Sequence, residues 1–187
     1  IRDLVRSRGL GDVYKRQAAD RLWQLGQRDI LIVTENRLAG TSRNTGSDKQ
    51  TYYKLTLSGP EGDSVREMAE TLFSGQCVDG DIALCEAALS AQSFLKLVEL
   101  GVPFPRNRYG EYIGYKTDHD PRRRATSVGP YTSRQMTECL EQAVQAKGIP
   151  MLDHLQVIRI LSDGHTAYGL LCLDTAAREE TDRFVLI

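Results

Sequence analysis

Glu35 follows the apolar run Ile30-Leu31-Ile32-Val33 after one threonine. A run that is apolar throughout and β-branched reads as a strand buried on both faces of a parallel sheet. In dinucleotide-binding folds an acidic residue at the C-terminal end of such a strand accepts hydrogen bonds from ribose hydroxyls. A carboxylate suits that work because it only accepts and can take two hydroxyls at once. A solvated turn is the other reading, and the residue types leave both open. His119, between Asp118 and Asp120, has the look of an oriented general base, but no partner is legible and a surface loop is the alternative. Arg122-Arg123-Arg124 could attract an anion or lie in a solvated loop. No serine or cysteine has a legible paired base, so no catalytic residue is assigned. Cys77, Cys85, Cys139 and Cys172 have no Cys-x-x-Cys spacing and the histidines stand alone, so no metal site is expected. Such cysteines suit buried thiols in a reducing cytoplasm better than a disulfide framework.

The elements that must position these residues come from a chain of 187 residues, which suffices for one domain and is short for two. With 41% hydrophobic and 26% charged residues it has a globular composition. No stretch reaches the roughly 18 consecutive apolar residues of a membrane span. A net charge of -1 argues against nucleic acid as a partner. Charge is uneven, however: residues 1–17 carry +3 and the remainder -4. That first segment has no apolar signal-peptide core. Its run Ser-Arg-Gly-Leu-Gly-Asp-Val-Tyr-Lys-Arg-Gln resembles translated sequencing-adapter read-through. Residues 1–17 are therefore expected to be a non-native leader, and residues 18–187 a partial domain.

From Ala18 the pattern becomes regular. Ala18, Ala19, Leu22 and Trp23 give a short helix that stops at Gly26. A polar, glycine-bearing loop runs from Ala39 to Asp48, and Gln50–Leu57 reads as extended. Val65, Met68, Ala69, Leu72 and Phe73 mark one amphipathic helix. A longer one runs from about Asp81 to Leu100, with Leu84, Ala88, Ala91, Leu95 and Val98 as its inward stripe, Asp79 or Asp81 as cap and Gly101 as stop. A third helix begins at Thr132 or Ser133, buries Met136, Leu140 and Val144, and ends at Gly148. Short apolar runs follow at Ile149–Leu152, Leu155–Leu161, Ala167–Leu173 and Phe184–Ile187, with Asp163-Gly164 as a hairpin turn. A Gly-x-Gly-x-x-Gly turn should precede the first helix of a dinucleotide-binding fold. Only Gly9-x-Gly11 is present, after no plausible strand.

Residues 18–187 resemble the N-terminal part of the fumarate reductase and succinate dehydrogenase flavoprotein family. Ala18–Leu22 through Glu35 is similar to the family's first helix and second strand. Ala39-Gly40-Thr41-Ser42-Arg43-Asn44-Thr45-Gly46 is similar to its Gly-Gly-x-Ser/Thr loop, and Asp81–Pro105 to the helix and Gly-(Val/Leu)-Pro-Phe segment. Arg122–Met136, Lys147–Pro150 and Val157–Gly169 are similar to the stretch leading into the third parallel strand and the β-meander.

The resemblance implies an α/β, Rossmann-like FAD-binding three-layer domain with a β-meander, incomplete at both ends. It implies that Glu35, with Asn36 beside it, binds the adenosine ribose. Thr41, Ser42, Arg43, Asn44, Thr45 and Gly46 would wrap the pyrophosphate, ribityl chain and flavin edge, and the Val157 backbone would meet adenine. Small hydroxyl residues and glycine allow backbone N–H groups a close approach to such groups. No histidine stands where succinate dehydrogenases attach the flavin, so FAD would be non-covalent. The family's catalytic residues would lie in a capping domain outside these residues. The implied activity is hydride transfer between flavin and a small, possibly dicarboxylate-like organic substrate, with an electron-transfer partner of unknown identity. The chain as given is expected neither to hold FAD tightly nor to catalyse.

Two departures bear on the substrate: the loop ends Gly46-Ser47-Asp48 rather than in a second Gly-Gly, and Asp48, Lys49, Gln50, Tyr52, Tyr53 and Lys54 form a polar, aromatic patch. Tyr112 and Tyr115 either lie near the flavin pocket or pack. A flavin-free α/β interaction module and an NAD-dependent dehydrogenase are the competing readings of the whole.

Overall fold

The computed structural model describes residues 3–5, 11–118, 120–179 and 183–187, with backbone alone at 3–5, 11 and 12. It divides into two compact units, residues 1–45 with 140–187 and residues 46–139, where composition suggested one.

The first unit is built on a parallel sheet of three strands in the order β1 (Asp3–Val5), β2 (Ile30–Val33) and β5 (Met151–Leu152). β2 is central and all four of its residues are buried, as an unbroken apolar run requires. Its side chains alternate between two cores. Ile30 and Ile32 pack with Ala19 of α1 (Gly11–Gln24) and with Val144 of α5 (Thr132–Ala146). Leu31 and Val33 pack with Leu155, Leu170 and Cys172, which belong to the antiparallel meander β6 (Leu155–Ser162), β7 (Ala167–Asp174) and β8 (Phe184–Leu186). Helices, parallel sheet and meander thus make three layers, with parallel and antiparallel sheets in one mixed α/β arrangement. The β6–β7 turn forms where Asp163-Gly164 predicts it: the Asp163 carboxylate accepts the N–H groups of His165 and Thr166, at 2.9 and 2.7 Å.

Residues 3–5 and 11–24 differ from the expectation. Asp3–Val5 pairs in parallel with β2, so a strand does precede the Gly9-x-Gly11 stretch. Helix α1 begins at Gly11 and runs through residue 17 without a break. The short helix read from Ala18 is the second half of a longer one.

The second unit contains a two-residue antiparallel pair, β3 (Tyr52–Tyr53) with β4 (Ala125–Thr126), and the helices α3 (Val65–Ser74) and α4 (Gly80–Glu99). Asp79 caps α4 by accepting the N–H groups of Asp81 and Ile82, and α4 ends at Gly101 with Val102 N–H bonded to the Leu97 carbonyl. The buried stripe of α4 is Ala83, Ala87, Ser90, Phe94 and Leu97, one residue ahead of the predicted Leu84, Ala88, Ala91, Leu95, Val98; Leu84 and Leu95 are exposed. Of the four cysteines, all free, Cys172 is buried but Cys77 and Cys85 are exposed, against the expectation of buried thiols. Among the described residues no helix is long and apolar enough to cross a membrane, and no group of His, Cys, Asp or Glu could hold a metal ion.

Candidate functional site

The C-terminal ends of β2 and β5 open on a polar mouth. The backbone knits it closed below: Thr34 N–H bonds to the Leu152 carbonyl and Leu155 N–H to the Thr34 carbonyl, at 2.9 and 3.0 Å. The mouth is lined by Lys15, Arg16, Thr34, Asn36 and Arg37 over a floor that includes Met151. Among the described residues its lining also includes Ile32 and Ala39. Glu35 lies directly beyond β2 and is exposed, and its carboxylate has no hydrogen bond or ion pair among the described residues. Its acceptor capacity is unspent, which is the condition for taking ribose hydroxyls.

The loop after Glu35 is shaped by its own side chains. The Asn36 side-chain oxygen accepts from Leu38 N–H and Ala39 N–H at 2.8 and 3.1 Å. Gly40 takes φ 108°, a left-handed geometry that favours glycine, and turns the chain into the four-residue helix α2 (Thr41–Asn44). The Asn44 amide donates to the Leu38 and Gly40 carbonyls, and the Thr45 hydroxyl to the Thr41 carbonyl. Ser42 is buried, while Thr41 is exposed. Gly46 opens the second unit; a Cβ there would stand 2.6 Å from the Tyr131 ring and 3.4 Å from the Pro130 carbonyl oxygen, so packing accounts for this glycine. Val157 lies in β6 opposite Cys172, half-buried against the cluster of Leu31 and Val33. The β6–β7 register shifts between Val157 and Arg159; such irregularities free backbone groups and recur beside binding sites.

Arg43 was expected at the ligand. It pairs with Glu141 of α5, which also takes Arg16 at 3.1 Å and Arg37 at 2.7 Å. The carboxylate of Glu141 raises the Arg37 guanidinium above its ordinary range by hydrogen bonding and by charge. Arg16, Arg37 and Glu141 escaped the sequence reading. A signal existed, because Glu141 falls on the inward side of its helix, next to Leu140 and three residues before Val144.

The remaining described candidates lie in the second unit, where they pack or pair with its own residues. Tyr52 packs on Phe94 and Phe104 with ring centroids 5.8 Å apart in each pair, and Tyr112 packs on Phe94 at 5.0 Å. Lys54 is fully buried. Within the predicted polar, aromatic patch, Lys54 is therefore interior and Tyr52 and Tyr53 are half-buried. Arg124 is also fully buried: it bonds both Asp63 carboxylate oxygens, at 2.9 and 2.7 Å, together with Tyr53, Thr71 and Asp120. Asp63 is held down at about 2; burial alone would raise it, but the Arg124 guanidinium and the N–H groups of Thr56 and Ser64 prevail. Arg122 grips Glu67 through two bonds, and Arg123 is exposed. Two of the three consecutive arginines thus form ion pairs in place of a solvated run. Tyr115 pairs with Ala125 and is 41% exposed. His119 lies outside the described residues.

No protein-family model matches the chain, and a comparison with curated proteins gives no match. Solved structures do match. Escherichia coli quinol fumarate reductase FrdA, in a mutant form, superposes with TM-score 0.73 at 16% identity over 92% of this chain and 29% of that one. Mycobacterium smegmatis Sdh1 gives 0.71 at 15% identity, over 92% and 30% of the two chains. A 3-ketosteroid-Δ4-(5α)-dehydrogenase from Rhodococcus jostii RHA1 gives 0.67 at 15% identity, over 90% and 41%. The chain therefore has the fold of one stretch of these proteins, and spans about 30% of the length of the first two.

Proposed function

We propose that the chain is part of an FAD-dependent oxidoreductase of the fumarate reductase and succinate dehydrogenase flavoprotein family, with the mouth of the parallel sheet as the seat of the adenosine half of FAD. The observation that carries this reading is the unspent carboxylate of Glu35 at the end of the central parallel strand. A fold shared with quinol fumarate reductase and with a flavocytochrome c3 fumarate reductase supports it.

The residues fit such a group by the chemistry of their donors and acceptors. Glu35 would accept from the ribose hydroxyls. Asn36, Asn44 and Thr45 spend their side chains on the loop's own backbone, so they would hold Thr41 and the neighbouring backbone ready for the rest of the nucleotide. The backbone near Val157, where the ladder slips, would meet adenine. Bound non-covalently, FAD would supply hydride transfer to or from a small organic substrate; the protein binds and orients it. Four free thiols suit a reducing cytoplasm as the place of action.

Titration of FAD into the purified chain, followed by flavin fluorescence, tests the reading. Weak, reversible binding is expected, with adenosine diphosphate competing. Glu35→Gln should lower FAD affinity about tenfold, the value of a hydrogen bond to a charged group. Riboflavin, which lacks the adenosine, should not sense the substitution. Absence of FAD binding, or equal affinity in the variant, would reject the proposal.

A further inference from the structure

We infer that Glu141 is the positioning residue of the mouth: its carboxylate, on which Arg16, Arg37 and Arg43 converge, fixes where the loop of residues 37–45 stands at the end of β2. The three guanidiniums come from three places, helix α1, the turn after Glu35 and helix α2. Their partner lies 125, 104 and 98 residues away in sequence. Glu141 is 9% exposed, Arg16 6% and Arg43 14%, while Arg37 at 41% reaches the surface.

The bonds from Asn36, Asn44 and Thr45 to nearby backbone are local and give the loop its shape. Ties to the frame include Glu141, the bond from Arg37 N–H to Asp153 at 2.8 Å and the bond from the Arg16 guanidinium to the Arg37 carbonyl at 3.4 Å. A buried carboxylate holding several guanidiniums is costly to lose, because the charges it leaves stay partly desolvated. Charge and position make opposite predictions here. Removing the Glu141 charge makes the mouth more cationic, and charge alone would tighten the binding of an anionic nucleotide. Loss of positioning would weaken it.

The test compares the full chain with its Glu141→Gln variant. The first measurement is tryptic cleavage after Arg37 and Arg43, referred to cleavage after the exposed Arg178 of the same molecule. Release of the loop should speed the first two cuts about tenfold while far-UV circular dichroism stays the same. An unchanged ratio would overturn the inference. The second measurement is FAD affinity, which rests on the flavin reading: about a tenfold loss is expected, and unchanged or tighter binding by a released loop would overturn the positioning role. If neither protein binds FAD, the flavin reading fails and the cleavage ratio alone decides the role of Glu141. Should Glu141→Gln fail to fold, Arg37→Gln replaces it, since Arg37 is the half-exposed member. Cleavage after Arg43 should then rise severalfold, and no rise would count against the inference.

Discussion

Lys54 and Arg124 are both fully buried cations, and they shift in opposite directions for a legible reason. Arg124 has Asp63, Tyr53, Thr71 and Asp120 around its guanidinium, and its affinity for the proton is raised. The Lys54 ammonium donates to the Leu55 carbonyl at 3.3 Å and sits 4.7 Å from the Phe94 ring. Burial pushes it down to about 8 from 10.5, with Asp63 opposing only in part. The unfolded chain keeps this proton up to about pH 10.5, whereas the folded chain releases it near 8. Between those values the unfolded state binds more protons, so this group's contribution to stability rises with pH. Lys54→Met fills a similar volume without a charge to desolvate. It should stabilise the protein by about 1–3 kcal/mol at pH 7 in urea denaturation. That advantage should shrink toward pH 10, as wild type loses its charge. Tyr53, Cys139 and Cys172, which burial raises, are present in both proteins and cancel in the difference. A variant less stable than wild type at pH 7 would contradict this account.

Among the elements, α4 shows what periodicity can and cannot decide. Ile82, Ala83, Leu84, Ala87, Ala88, Leu89, Ala91, Phe94, Leu95, Leu97 and Val98 put apolar groups on several of its faces, so two stripes one residue apart are equally regular. Tertiary contacts choose between them. Phe94 joins Tyr52, Phe104 and Tyr112, and Ala83 and Ala87 let Met68 and Ala69 of α3 come close. The consequence is measurable at adjacent positions. Phe94→Ala should cost about 3–5 kcal/mol as a core truncation, and Leu95→Ala, at 45% exposure, less than about 0.5 kcal/mol. Chemical denaturation of the pair would show the reverse order if the predicted stripe were the buried one. Elements with one dominant pattern were legible: the unbroken run of β2, the amphipathic α3, and the meander with its Asp163-Gly164 turn. Of the two-residue strands, β3 falls within the stretch 50–57 that reads as extended, whereas β4 was not legible, because so short a pairing has no period. The same limit governs the site. Glu35 could be read because its strand is its neighbour. Glu141 could not be matched to its arginines, because nothing local links residues about a hundred positions apart.

At the scale of the molecule, residues 46–139 form a unit of their own between the two segments that make up the other. No linker-like composition marks its borders, so one domain was the natural expectation. Each unit also has an apolar cluster of its own. Ala19, Ile30, Ile32, Val144 and Ile149 form one of those in the first unit, and Met68, Ala69, Ala83 and Ala87 the one between α3 and α4. Cooperative opening follows contiguous cores, so the two units should lose amide protection separately under native conditions. Val144→Ala, which removes two buried methyl groups beside β2, should cost about 2 kcal/mol and lower hydrogen-exchange protection of Ile30–Val33. Protection of Ile82–Leu97 should stay as in wild type. Phe94→Ala should do the opposite. On the flavin proposal, FAD would bind only the folded mouth, so it should raise protection of β2 and α1 and leave α3 and α4 unaffected. A uniform change across both units, with either substitution or with FAD, would mean that the chain opens as one body.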